Sequence, residues 1–454
     1  MNKPGTSRTA THAGLGWLSI IRLGLVQAAL GSIVVLTTST LNRVMVVELS
    51  LAAVIPGLLV GLHYAVQISR PLWGHGSDLG GNRTRWILGG IAVLAMAGTG
   101  AAASTLLVAQ SFALAMVVAA IAFTFIGFGI GAAGTSLLAL LASRTAPARR
   151  PAAATIVWMM MIAGIVVTAI ISGILLDPFS LSRLVVITAG AGTIAFALSV
   201  VAVWGVERKA EPITSASAEN AVASNFREAL AETWADPEAR LFTIFVFVSM
   251  LAYSTQDLIL EPFGGLLFGL TPGETTRISG VQHGGVLLGM ALVGIAGSLL
   301  ANRKPQILRS FTVWGCLLSA LALGGLALGA SLAPQWPLKA NIFLLGAANG
   351  AFAVAAIGSM MVLAGAGGGN REGIRMGVWG AAQAISFGLG GFMGTVLIDI
   401  TRKLTHDDAN AFFAVFSFEA MLFVLAAILA TRIRAGARAE QNAAFGDSLM
   451  NPAE

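Results

Sequence analysis

Charge is what this sequence has least of. Only 11% of its 454 residues are Asp, Glu, Lys or Arg, 56% are hydrophobic, and the mean hydropathy is +0.83. A water-soluble fold of this length needs far more charge on its surface, so the composition indicates a chain solvated largely by lipid. Cys316, the single cysteine, lies in an apolar run, which excludes an intramolecular disulfide and a Cys-type metal site. Aspartate is scarce too: Asp78, Asp177, Asp236, Asp257, Asp399, Asp407, Asp408 and Asp447 are all there are. Only Asp407 and Asp408 adjoin, and no D-x-x-x-D pair exists. The clustered carboxylates that hold Mg²⁺ on a diphosphate in an intramembrane prenyltransferase are therefore missing. GAGGGN, Gly365–Asn370, lacks the Lys and Ser/Thr of a nucleotide-phosphate loop and reads as a turn. These absences argue against an enzyme and against a bound metal ion or nucleotide.

What the chain has instead is glycine, 54 residues, and long apolar runs. Cutting at charged and Pro-rich clusters leaves runs at roughly 17–40, 53–73, 86–108, 112–141, 153–176, 184–205, 241–262, 277–300, 310–331, 339–363, 376–398 and 411–431. Each reaches the ~20 residues that a bilayer requires. The reading is an all-α integral membrane protein of twelve transmembrane helices in two six-helix halves. With both termini cytoplasmic, only Arg43, Arg183, Arg277, Lys339, Arg402 and Lys403 of the 27 Lys and Arg fall outside, as the positive-inside rule requires. The net charge of +6 thus reflects topology, not nucleic-acid binding. No cleavable signal is expected before Trp17, since the first run is too long for one.

The sequence divides into a tail at 1–16, a first bundle at 17–205, a cytoplasmic linker at 206–240, a second bundle at 241–431 and a tail at 432–454. Within the linker, Phe226, Leu230 and Trp234 share one helical face, which predicts an amphipathic interfacial helix.

Polar residues inside the runs are the candidate sites, because a charge at mid-membrane costs about 2.5–3.5 kcal/mol on insertion scales. The first run ends in Asn42, Arg43 and Glu48; the seventh holds Gln256, Asp257, Glu261 and Pro262 at a similar depth of the second half. Asp257 and Glu261, four apart, share a face, and Arg43 is the cation at hand. This group reads either as a proton or substrate site or as an ion pair latching the two halves. His63 and His283 also lie in runs, and a neutral imidazole is a good axial ligand for a tetrapyrrole metal. His283, followed by Gly284 and Gly285, has the flatter surroundings; a histidine hydrogen-bonded within the bundle is the alternative for both. Glycines at 127, 129, 131 and 134, and at 388, 390, 391 and 394, predict close helix packing.

Two resemblances follow from particular strings. GHGSDLGGNR, Gly74–Arg83, is similar to the G-x-x-x-D-x-x-G-x-[RK] loop of the major facilitator superfamily, with Gly74, Ser77, Asp78, Gly81 and Arg83 fitting and Leu79 and Asn82 departing. In that reading Asp78 caps a neighbouring helix. TLNRVMVVEL (Thr40–Leu49), HYAVQISRPLWGHGSD (His63–Asp78), QDLILEPFGGLLFGLTPGE (Gln256–Glu274) and SGVQHGGVLLGM (Ser279–Met290) resemble the PucC/LhaA family of photosynthetic purple bacteria, in its branch encoded among bacteriochlorophyll-biosynthesis genes. The resemblance implies a major facilitator fold in the bacterial inner (intracytoplasmic) membrane. It also implies assistance to light-harvesting complex assembly, with bacteriochlorophyll as bound cargo and with light-harvesting polypeptides, pigment-synthesis enzymes and membrane lipid as partners. His283, His63, Gln256, Asp257 and Glu261 are then the candidate pigment-binding or substrate-binding residues. A proton-coupled transporter of a small amphipathic solute is the competing function.

Overall fold

A computed structural model describes residues 15–69, 82–146, 149–209, 231, 234–300, 307–365 and 372–433. All regular structure among them is helical. We label the elements α1 (Trp17–Glu48), α2 (Val54–Val66), α3 (Arg83–Leu107), α4 (Phe112–Arg144), α5 (Arg150–Leu175), α6 (Leu181–Val203), α7 (Pro237–Phe268), α8 (Pro272–Leu300), α9 (Ile307–Leu332), α10 (Leu338–Gly365), α11 (Glu372–Thr405) and α12 (Asp408–Arg432). Eleven of them are long and apolar enough to cross a membrane. α2 has 13 residues and a short 3₁₀ turn to Ser69; residues 70–81, which hold Gly74, Asp78 and Gly81 of the loop string, lie outside the described residues. So does most of the expected amphipathic segment around Phe226. The reason for helix throughout is the solvent: lipid offers no hydrogen bonds, so each backbone N–H and C=O must be satisfied within its own segment. Helix starts carry side-chain caps where water and lipid meet, from Ser111 to Leu114 N, Ser180 to Arg183 N, Asp236 to Glu238 N and Asp407 to Ala409 N.

The two halves repeat each other. In the first, α1 packs on α5 and α6, α3 on α4 and α6, and α2 on α4; in the second, α7 packs on α11 and α12, α9 on α10 and α12, and α8 on α10. Adding six to every label of the first set gives the second. Between the halves α2 meets α11 and α5 meets α8, and the same exchange converts one contact into the other. That is the relation expected of two parallel six-helix repeats about an axis along the membrane normal.

Glycine sets the closest approaches. On α8 and α10, Gly285 and Gly289 face Gly346 and Gly350: a Cβ added at Gly289 would land on the carbonyl oxygen of Ala347, and one at Gly350 on that of Val286. Two small-xxx-small stripes thus meet backbone to backbone. Of the glycines read from sequence as packing faces, Gly127, Gly129, Gly390, Gly391 and Gly394 each abut a neighbouring helix, whereas Gly134 faces open space.

At the other end of the first half, α6 holds α3. The short turn Val206–Lys209 places Glu207 against the start of α3, where its carboxylate accepts from Arg83 N (3.0 Å), Thr84 N (2.9 Å) and Thr84 Oγ1 (2.6 Å). Arg144 donates to the Glu207 carbonyl at 3.1 Å. Asn82, which departs from the superfamily loop pattern, caps the same helix by accepting from Arg85 N at 3.3 Å. Partial burial alone would raise the Glu207 carboxyl, but the Thr84 and Arg83 donors and the Arg144 charge outweigh it and hold it below its ordinary value of 4.5.

Two outcomes are expected. Gly289→Val should destabilise the α8–α10 contact by about 1–3 kcal/mol, seen as a lower midpoint of thermal unfolding in detergent, with Gly134→Ala little changed. Because the Glu207 carboxyl is depressed in the folded protein, its contribution is complete above 4.5 and is lost as pH falls through the lower folded value. Stability measured from pH 7 down to 3 should therefore fall less steeply in Glu207→Gln than in the parent.

Candidate functional site

Helices α1 and α7 are irregular at matched places. α1 runs past the expected end near residue 40 to Glu48 by way of two π turns, Leu36–Thr40 and Val44–Glu48; α7 is interrupted at 257–259 and resumes at Leu260. Such breaks free backbone carbonyls inside the bundle, and polar partners take them up. Asn42 Nδ2 donates to Leu258 O at 2.6 Å, across the two halves. Arg43, 2% exposed, donates to Leu270 O at 2.7 Å and is ion-paired with Glu48. Thr40 and Thr276 share a hydrogen bond at 3.1 Å. Asp399 of α11 accepts from Ala53 N (3.2 Å) and Val54 N (2.8 Å), capping α2 of the other half. The ends of α1 and α7 are thus stitched to each other and to α11 and α2. Beyond the stitches lies an open vestibule of about 1110 Å³ lined by Val46, Leu51, Leu266, Asp399, Arg402 and Lys403 among others.

Arg43 bonds to neither Asp257 nor Glu261, although it stays within electrostatic reach of Glu261. Two nearer acceptors explain this: the helix break presents the Leu258 carbonyl to Asn42, and the loop after α7 presents the Leu270 carbonyl to Arg43. Glu261 instead accepts from Ser279 Oγ of α8 at 2.6 Å and is buried. Gln256 is fully buried in a chain of amides: Asn349 Nδ2 donates to Gln256 Oε1 (2.9 Å) and Ser319 Oγ to Asn349 Oδ1 (2.8 Å), joining α7, α10 and α9.

The two histidines differ. His63 is 1% exposed, its Nδ1 on Val60 O at 2.7 Å and its ring tilted against Tyr64 at a centroid distance of 4.1 Å. His283 has Nδ1 on Ser279 O at 2.9 Å, which fixes the ring and assigns the proton to Nδ1. Its Nε2 makes no hydrogen bond among the described residues and is not sealed among protein atoms, and at the next residue, Gly284, the site of a Cβ is empty space. That is the geometry of an imidazole free to coordinate: one nitrogen held by a carbonyl, the other presented.

Residues not singled out from sequence complete the region. Tyr64 of α2, Phe387 of α11 and Tyr253 of α7 form a row with centroid steps of 5.9 and 5.9 Å between the two halves. Glu419 of α12 is fully buried with no hydrogen bond to either carboxyl oxygen, within electrostatic reach of Asp257. The cost argument applied to Gln256 and Asp257 also selects Glu419, the one charged side chain in the middle of its run; the pairing of the two tyrosines needed the fold. Among the described residues no group of three or more His, Cys, Asp or Glu could hold a metal ion.

The model of the family described as PUCC protein matches residues 40–437. The chain belongs to that family. The Bacteriochlorophyll synthase 44.5 kDa chain of Rhodobacter capsulatus is 52% identical over 420 residues, covering 92% of this chain and 96% of the relative. Protein PucC of the same species is 27% identical over 433 residues, 90% of each chain. Among solved structures, a bacterial homolog of the human lysosomal transporter Spinster, inward-facing and unoccupied, aligns with a TM-score of 0.62 at 15% identity over 92% of this chain and 95% of that one. The D-xylose-proton symporter aligns at 0.67 and 13% over 92% and 97%. At such identities they show the fold alone, and it is that of the major facilitator superfamily.

Removing Arg43 would leave Glu48 unpaired and the Leu270 carbonyl without its donor. Arg43→Ala should cost on the order of 3 kcal/mol and lower the yield of monodisperse protein in detergent, while Arg309→Ala, at the start of α9, should not. Equal yields would remove the stitching role.

Proposed function

We propose that this PUCC family member assists the assembly of photosynthetic pigment–protein complexes by holding bacteriochlorophyll between its two halves and passing it to antenna or reaction-centre polypeptides. His283 carries the reading: a buried imidazole with Nδ1 fixed by Ser279 O and Nε2 open beside an uncrowded glycine. The relationship to a protein named for bacteriochlorophyll synthesis, nearly full-length and at 52% identity, supports it. So does physical chemistry, since a macrocycle with a long apolar tail does not cross water unaided. As cargo, the pigment brings its own metal, to which Nε2 would be the axial ligand; His63, sealed by Tyr64 and Val60, is the weaker candidate. Asp257, Glu261 and Gln256 would then bound the polar side of the cavity, Gln256 by holding α7, α9 and α10 in place.

We read the protein as a carrier and not a catalyst, despite the relative's name, because its sequence holds no diphosphate-binding aspartate pair. The setting that goes with this reading is the inner membrane, with both termini in the cytoplasm near pigment-synthesis enzymes. The transporter folds of the structural neighbours favour a second reading, proton-coupled movement of a small solute.

Purification in mild detergent followed by absorption spectroscopy separates the two. Co-purified bacteriochlorophyll is expected, reduced roughly tenfold or more in His283→Ala with the folded fraction preserved. A colourless protein whose host shows normal pigment complexes and defective solute movement would support the transporter instead.

A further inference from the structure

The open polar groups at mid-bundle restrict which form of a tetrapyrrole can enter. Tyr253 and Asp257 stand four residues apart on α7, share a face, and are both partly exposed. Neither the Tyr253 hydroxyl nor the Asp257 carboxyl has a hydrogen-bond partner among the described residues. Helices α7 and α8 run antiparallel, and the Ser279–Glu261 bond pins their register. Asp257 and His283, each four residues from that bond, therefore lie on the same side of it on neighbouring helices.

Among the described residues no free cation joins them. α12 contributes Glu419, another carboxyl without a partner; α1 contributes Arg43, engaged by Glu48 and the Leu270 carbonyl; α2 contributes His63, sealed against Tyr64. Asp399 and Arg402 of α11 sit at the far end, bonded to α2 and to Asp408 respectively.

We propose that Asp257, backed by Glu419, makes the site selective for an uncharged, esterified tetrapyrrole and against the same macrocycle with its propionate free. The proposal rests on the pigment reading and narrows it, removing unesterified precursors from the cargo. An ionised propionate entering here gives up its water and meets carboxyls. A charged Asp257 adds repulsion, and the hydrogen bonds that the Tyr253 hydroxyl or a neutral Asp257 can donate do not repay the burial of a carboxylate with no cation beside it. An ester carries no such penalty, and the Tyr253 hydroxyl can donate to its carbonyl.

Affinities of the purified full-length protein for bacteriochlorophyllide and for its methyl ester, measured by fluorescence titration at neutral pH, test this without interference from the prenyl tail. The ester is expected to bind about tenfold tighter or more. Asp257→Asn is expected to strengthen binding of the acid and so narrow the ratio between ester and acid, a gain that misfolding cannot produce. Equal affinities, or a ratio unmoved by Asp257→Asn, would overturn the selectivity while bound bacteriochlorophyll left the pigment reading standing. Failure to bind bacteriochlorophyll itself would overturn both.

Discussion

A bilayer supplies no hydrogen bonds, and the whole arrangement of this protein follows from how its few buried polar groups are matched. The Leu258 carbonyl at the α7 break and the Leu270 carbonyl in the loop after α7 are taken by Asn42 and Arg43 of the opposite half, and Asp399 caps α2 across the same boundary. Each bond joins elements distant in sequence. One end of the bundle is therefore closed by polar chemistry, on a scaffold that glycine contacts such as Gly289 against Ala347 allow to pack backbone to backbone.

Toward the middle the matching stops. Gln256, Asn349 and Ser319 satisfy one another, but the Tyr253 hydroxyl, the Asp257 carboxyl and His283 Nε2 find no partner among the described residues. Unmatched groups at membrane depth are expensive, and proteins retain them where something else completes them. His63 and His283 make the contrast within one chain: the same residue type in equivalent apolar surroundings, one closed by an aromatic ring and the other left open.

Much of this was legible in the sequence because lipid imposes a coarse grammar. Charge scarcity and run length gave an all-helical membrane protein, and the polar strings around Asn42 and Gln256 marked candidate sites, without showing that the helices are irregular there. Of the twelve expected spans, eleven are long and apolar enough to cross a membrane among the described residues, and the second, α2, is described over 13 residues. Partners were not legible. Periodicity places Arg43 and the Asp257–Glu261 pair at one depth, yet it cannot show that the loop after α7 brings the Leu270 carbonyl to Arg43 ahead of those carboxyls. Asn82 was read as a gap in a charge pattern, although its amide oxygen caps α3. Glu207, read as part of a linker, closes the same helix end, and only the fold brings residues 83 and 207 together.

The claim on which the account turns is that the unmatched groups between the halves are a ligand site. Cryo-electron microscopy of the protein purified with its native pigment measures this directly. The account predicts macrocycle density between the halves, with its metal at coordination distance from His283 Nε2 and its edge against Tyr253 and Asp257. Pigment density confined to the lipid-facing surface, or a mid-bundle cavity holding a different solute, would contradict it.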